Sequence, residues 1–303
     1  MKSENGGRIA EDSLLLSLLL ITATPGFSQA FSGPKAESPR EADKHEEIPF
    51  EIYRDYVIVI QGSLGDTHGL NFILDTGTNP SIVDSKIAKE LHLVEMVGRL
   101  AVHDKRFEVQ QSVSPNVQLG SLRLEAIPIL IRDLAFLQTG LGIRIDAVIG
   151  LDVLTQRNFS INYTTKRISL GSVHLSRSVV PLQSTSSSWL IAPMEVDGVP
   201  LRMLVDTAAS SIFLFRRSIR HRLPHLTSLG EIVSSNMGGE FLAQRALLTR
   251  TKLGDTDFGH MNAFVVEDWE DETRDFDGLL GPSALGLKQI AFDFQRRALS
   301  WKK

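Results

Sequence analysis

Cysteine is absent from the 303 residues. That excludes disulfides, thiolate nucleophiles, Cys-ligated zinc and iron–sulfur clusters together. An excess of positive charge is also missing. Lys and Arg total 32 against 36 Asp and Glu, for a net charge of -4, a poor electrostatic basis for nucleic-acid binding. The motifs of several other chemistries are incomplete. Gly281-Pro282-Ser283 is not a Gly-x-Ser-x-Gly elbow, and Gly140-Leu141-Gly142 lacks the third glycine of a dinucleotide loop. His221 and His225 have helical i, i+4 spacing, but Pro224 between them breaks a helix and no carboxylate follows at a ligand offset, so no metal is expected. Arg216, Arg217, Arg220 and Arg222 lie in the same stretch and read as a solvated helix face.

Long apolar runs are scarce too. The one present, Leu14 to Thr24, is followed by Pro25-Gly26 and then Ser28-Gln29-Ala30. It is shorter than the about 20 residues that span a bilayer. A short apolar core ending in a small-x-small site has the pattern of a secretory signal peptide. Residues 1–30 are therefore expected to be a signal peptide that exports the chain to the periplasm or the exterior. Glu4, Glu11 and Asp12 offset Lys2 and Arg8, which keeps a membrane anchor open as the alternative. Residues 31–47, charged and rich in Pro, Ser and Glu, read as a disordered linker. The whole chain is 42% hydrophobic and 22% charged, globular material sufficient for two cores.

That material repeats. Leu70-Asn71-Phe72-Ile73-Leu74 runs into Asp75-Thr76-Gly77, and in the second half Leu201-Arg202-Met203-Leu204-Val205 runs into Asp206-Thr207-Ala208. Asp146-Ala147-Val148-Ile149-Gly150 matches Asp277-Gly278-Leu279-Leu280-Gly281 at the same shift, so Asp75 precedes Gly150 by the same spacing as Asp206 precedes Gly281. The register continues through Leu154 and Leu285, Phe159 and Ile290, and Ile161 and Phe292. One Asp-Thr turn is weak evidence, since an ordinary Asx turn gives the same tripeptide. Two at matched positions in matched halves are a duplicated unit. β-rich runs with Gly/Asp turns at Gly65-Asp66 and Asp197-Gly198 make the class mainly β. Ser85 to Leu91 reads as a short helix capped by Asp84 or Ser85.

These residues resemble the clan AA aspartic proteases, in particular the retropepsin-like proteins of bacteria. The resemblance is carried by Pro49-Phe50-Glu51-Ile52, Ile73-Leu74-Asp75-Thr76-Gly77, Leu119-Gly120, Ala147 to Leu154 and their second-half counterparts, and covers about residues 49–303. It implies two tandem retropepsin-like β-barrel lobes with short helices: a first lobe at 48–174, a connector at 175–187 and a second lobe at 188–303. It also implies peptide-bond hydrolysis without metal or cofactor, a peptide or protein substrate, and activity as a monomer. Two carboxyls a few ångström apart cannot both ionise and so share a proton. The charged one can activate water while the protonated one donates to the scissile carbonyl. By the resemblance, Asp75 and Asp206 are that catalytic pair. Thr76 and Thr207 would cross-link the two loops. Gly77 would give the backbone room, and Val148-Ile149-Gly150 and Leu279-Leu280-Gly281 would pack beneath.

The second motif departs from the pattern with Ala208 in place of glycine. If that position needs positive φ or close backbone approach, the methyl is costly. A weakened or non-catalytic peptide-binding relative is therefore the alternative function, with a structural, envelope-associated protein as a third class. Hairpins turning around His103-Asp104-Lys105 and around Asn236-Met237-Gly238-Gly239 are the flap candidates. The chain's three tyrosines are Tyr53, Tyr56 and Tyr163, so neither flap carries the tyrosine of pepsin-like flaps.

Overall fold

The computed structural model describes residues 22–23, 46–102, 105–185, 188–236, 239–267 and 275–303. All of the expected signal peptide but Thr22–Ala23, and nearly all of the expected linker, lie outside these residues. Thr22–Ala23 form a two-residue strand against Leu100 and Ala101. No helix among the described residues is long and apolar enough to cross a membrane.

Each half of the chain builds its lobe from the same devices. In the first, Val57–Leu64 and Thr67–Leu74 form a hairpin whose turn uses Gly65 at φ 57°. In the second, Leu190–Val196 and Val199–Val205 turn through Asp197 and Gly198 at φ 52° and 82°, left-handed values that suit the twist of a two-residue hairpin. A three-residue strand then slots beside each hairpin. Ala147–Ile149 lies parallel to Thr67–Leu74 and antiparallel to Ile82–Asp84. Gly278–Leu280 lies in the same way between Val199–Val205 and Ile212–Phe215. These inserted strands are buried throughout, which is why they are continuously apolar rather than alternating.

The carboxylates at the start of the inserted strands hold the register. Asp146 accepts the Asn71 N–H at 2.8 Å and pairs with Arg144 at 2.7 Å. Asp277, at the equivalent position, accepts the Arg202 N–H at 2.8 Å and pairs with Arg222 at 2.8 Å. The arginine stretch is thus not the plain solvated helix face expected from its sequence. Its helix is only Arg216–Ile219, and Arg216 and Arg222 are tied to Glu267 and Asp277. The helix Ser85–Glu90 is capped by the Asp84 carboxylate, which accepts the Lys86 N–H at 2.9 Å.

The lobes share one end of a 14-stranded sheet, six strands in the order Glu46–Tyr53, Arg167–Leu170, Phe159–Asn162, Gln289–Asp293, Ala298–Lys302 and Ser178–Pro181. At the centre of these six Ser160 pairs with Ala291, its own equivalent in the second half, while Phe159 pairs with Phe292 and Ile161 with Ile290. Because Phe159 corresponds to Ile290 and Ile161 to Phe292, the contact is self-complementary. A pseudo-twofold axis passes between Ser160 and Ala291. The Phe159 and Phe292 rings stack across the lobe boundary at 4.5 Å. This sheet also reaches into the two segments expected as linker and connector. Glu46 and Glu47 already pair with Leu170 and Ser169. Ser178–Pro181 and Gln183–Ser184, expected within a connector, are strands in the shared sheet and the second-lobe sheet.

Two long hairpins complete the lobes: Met96–Val102 with Lys105–Leu119, and Thr227–Asn236 with Gly239–Leu253. They correspond to the flap candidates. His103, Asp104, Met237 and Gly238, expected in the flaps, lie outside the described residues, while Gly239 opens the strand Gly239–Leu253.

Candidate active site

Each candidate loop starts where a buried strand ends. The Asp75 N–H donates to the Ile149 carbonyl at 3.0 Å, and the Asp206 N–H to the Leu280 carbonyl at 3.0 Å. The inserted strands therefore fix the backbone of both aspartates. They can come this close because the next residue is glycine. A side chain at Gly150 would place its Cβ 2.3 Å from the Thr78 carbonyl oxygen, and one at Gly281 would lie 2.3 Å from the Ala209 carbonyl oxygen.

The two loops meet through their threonines. The Thr76 N–H donates to Thr207 Oγ1 at 3.0 Å, and the Thr207 N–H donates to Thr76 Oγ1 at 3.0 Å. Each hydroxyl then donates onward into the other lobe: Thr76 to the Val205 carbonyl at 2.7 Å, Thr207 to the Leu74 carbonyl at 3.0 Å. All these groups are buried, so each bond would leave an orphan donor or acceptor if broken, at about 1–3 kcal/mol apiece. Serine would keep the hydroxyl, but the γ-methyl of threonine stiffens χ1 and aims it.

This cross-link carries two carboxyls, neither exposed to solvent, close enough for each to act on the other's ionisation. Their surroundings differ. Asp75 Oδ1 accepts the Gly77 N–H at 2.7 Å and its Oδ2 accepts the Thr78 hydroxyl at 2.6 Å. Asp206 Oδ1 accepts the Ala208 N–H at 2.9 Å, whereas its buried Oδ2 receives no donor. Burial raises Asp75 to about 6, against the pull of its bonds from Thr78, Gly77 and Asp206. Burial, reinforced by the neighbouring Asp75 charge, raises Asp206 further. A donor-poor, raised carboxyl beside a donor-rich, less raised one is a pair that holds one proton between them.

The chain belongs to the aspartyl protease family. The family profile, described as aspartyl protease, matches twice, over residues 60–153 and 192–284. The two matches make this aspartyl protease a tandem, two-lobe, retropepsin-like form. Comparison with curated proteins gives no match.

In this aspartyl protease Asp75, Thr76, Gly77, Asp206, Thr207 and Ala208 converge on one point between the lobes. Three neighbours that the sequence reading assigned no role also matter: Thr78, Ser81 and Asp152. The signal for the first was available, because the Thr78 hydroxyl falls where the second half has Ala209.

The glycine-to-alanine departure is explained by surroundings rather than by φ. Neither Gly77 nor Ala208 has positive φ. A Cβ on Gly77 would lie 2.5 Å from the Asp206 carboxyl carbon and 2.6 Å from its Oδ2. The Ala208 methyl, by contrast, is fully buried in the first lobe's apolar cluster with Val57, Ile73 and Val148. The two loops therefore tolerate opposite residues. Gly77→Ala is expected to displace the Asp206 carboxylate and reduce peptide cleavage at least about a hundredfold, the effect of an ångström of misplacement. Ala208→Gly is expected to leave the rate within about threefold while lowering stability by about 1–2 kcal/mol, from a lost buried methyl and added unfolded-state entropy. Steady-state kinetics and denaturant unfolding of the two variants check both. A sharp gain in rate for Ala208→Gly would place Ala208 among impaired-site substitutions instead.

Proposed function

We propose that this protein is an aspartic endopeptidase that hydrolyses peptide bonds with a water activated between Asp75 and Asp206. The observation that carries this is the reciprocal threonine cross-link, which sets two buried carboxyls side by side with unequal donors. The charged carboxylate removes a proton from the water as it attacks the scissile carbonyl. The protonated one donates to the carbonyl oxygen, giving a tetrahedral diol. The proton taken from the water then passes to the leaving amine as the C–N bond breaks, while the other carboxylate takes a proton from a diol hydroxyl as the carbonyl re-forms, restoring one proton on the pair. Water is the nucleophile, consistent with a chain that has no cysteine.

The long hairpins support a peptide substrate. Met96, Val97, Val233 and Leu242 are exposed apolar side chains on them, and Val233 and Leu242 face each other across the second hairpin. Apolar side chains held out on paired strands suit an extended peptide, whose backbone can add to the strand edges. A peptide-binding relative without catalysis would keep these hairpins but has no need of a shared proton. Both half-sites lie in one chain, so the active unit is a monomer, and activity per mole should stay constant on dilution. A fall that tracks dissociation of a dimer would argue against it. The apolar run Leu14–Thr24 supports export, with the mature protein beginning after Ala30. N-terminal sequencing of the protein recovered from a cell envelope fraction tests this, and an intact Met1 there would favour an anchor.

Asp75→Asn and Asp206→Asn are each expected to abolish cleavage of a peptide library, with the fold retained by circular dichroism. Substantial turnover by either variant would sink the two-carboxyl mechanism. The pH dependence follows from the same pair. Below the pH at which Asp75 takes up a proton both carboxyls are neutral and no base remains. Above the pH at which Asp206 loses its proton both are charged and no acid remains. With Asp75 raised to about 6, kcat/KM should be bell-shaped with its acid limb near pH 6. An acid limb near the ordinary carboxylate value, about 4, would contradict the buried pair.

A further inference from the structure

Outside the pair, a half-buried carboxyl beneath the first loop has no part in the mechanism above. Asp152 sits in the short helix Leu151–Leu154, directly beneath the first loop. Its Oδ2 accepts the Ser81 N–H at 3.0 Å and its Oδ1 the Ser81 hydroxyl at 2.6 Å. Ser81 Oγ in turn accepts the Gly150 N–H at 2.9 Å. The Leu151 N–H donates to the Thr78 carbonyl at 2.8 Å, and the Thr78 hydroxyl donates to Asp75. Hydrogen bonds joined by two covalent links thus connect Asp152 to the candidate catalytic carboxyl: Ser81 fixes Gly150, the adjoining Leu151 holds the Thr78 backbone, and Thr78 carries the hydroxyl on Asp75. The remaining donor to Asp152 is the Val153 N–H at 3.1 Å, and no charged side chain is among these partners. The titratable group facing Asp75 is Asp206.

The second lobe has no such chain. At the equivalent positions, Thr78 becomes Ala209, Ser81 becomes Ile212 and Asp152 becomes Ser283. Ser283 reaches only the Ala209 carbonyl, at 3.3 Å. The duplicated loops share their backbone plan and their threonine cross-link, yet all three polar members of this brace occur in one lobe alone. The lobe that has them is the one whose aspartate receives a hydroxyl, and the aspartate of the other lobe has the oxygen with no donor.

We infer that Asp152 is a positioning residue: clamping Ser81, it holds the Thr78 hydroxyl on Asp75, so that Asp75 is the charged base and Asp206 keeps the shared proton. This rests on the aspartic-protease reading for its use in catalysis, but the proton assignment stands on the hydrogen bonds. Burial pushes Asp152 itself above the usual carboxylate range while the Ser81 donors hold it down, so it stays an acceptor best where Ser81 is in place.

The test reads protonation rather than turnover. In full-length protein with 13C-labelled Asp carboxyls, NMR titration follows Asp75, its resonance assigned by the Asp75→Asn variant. Thr78→Val is expected to raise the Asp75 midpoint by about half a pH unit or more. Asp152→Asn, whose amide can accept only one of the two Ser81 bonds, should move it in the same direction. The double variant should shift it no further than Thr78→Val alone, because both act through one hydroxyl. A midpoint unmoved in Asp152→Asn, or shifts that add in full, would overturn the assignment and leave Asp152 a structural residue. If Asp152→Asn does not fold, Ser81→Ala cuts the same chain and carries the same comparison. In the kinetic experiment Asp152→Asn should shift the acid limb of kcat/KM upward while KM at the optimum stays within about twofold. If the midpoints move as stated and the wild-type chain cleaves no peptide, the protease reading fails and the positioning role of Asp152 stands.

Discussion

The paired hydrogen bonds between Thr76 and Thr207 are the constraint on which the rest of this molecule depends. Each threonine uses its backbone N–H and its hydroxyl across the lobe boundary, and the two N–H bonds join residues that occupy the same place in the two halves. Two isolated lobes would bury these groups without partners, or leave them in water. Joined, they fix two backbone turns against each other, and the carboxyls carried by those turns have no choice but to be neighbours. The shared sheet serves the same end from below. Its central Ser160–Ala291 pairing places the pseudo-twofold axis between the lobes, where the symmetric loops must also meet.

Symmetry of backbone does not give symmetry of charge. A buried pair of like carboxyls is stable only if it holds a proton, and the proton goes to the oxygen with the fewest donors. The first lobe supplies Thr78, Ser81 and Asp152; the second supplies Ala209, Ile212 and Ser283 at the same places. Duplication thus provides a scaffold in which one half can diverge. Changes at three side chains, with the cross-link retained, suffice to give the two carboxyls unequal donors.

Much of this was legible in the sequence, for identifiable reasons. The equal Asp-to-Gly spacings report the inserted strands, because the glycines are required by the Thr78 and Ala209 carbonyls that press on them. Asp146 and Asp277 repeat because each must hold the neighbouring strand through a backbone N–H. What repeats is what the shared backbone demands. The Asp152–Ser81 brace escaped the comparison of halves because it has no counterpart in the second, and its partners are far apart along the chain. The strands within residues 178–184 escaped because Pro181 and the short, polar Gln183–Ser184 segment resemble a connector. The environment of Ala208 is a matter of packing between lobes, which local sequence does not encode.

The central claim is that Asp75 and Asp206 hold a shared proton in a buried site, and proton linkage measures it without reference to a substrate. In the unfolded chain both carboxyls ionise near about 4, while in the folded chain Asp75 is raised to about 6 and Asp206 higher still. Folded protein therefore holds protons that unfolded protein has released, and the stability they contribute is fully present below about pH 4 and lost as pH rises through the folded values. Unfolding free energies of the wild type and of Asp75→Asn/Asp206→Asn, measured from about pH 4 to about pH 7, isolate the pair. The account predicts that wild-type stability falls relative to the double variant as pH rises, by about 1.4 kcal/mol per pH unit for each proton held. A difference that stays flat, or that grows with pH, would mean that the two carboxyls do not share a proton between the lobes.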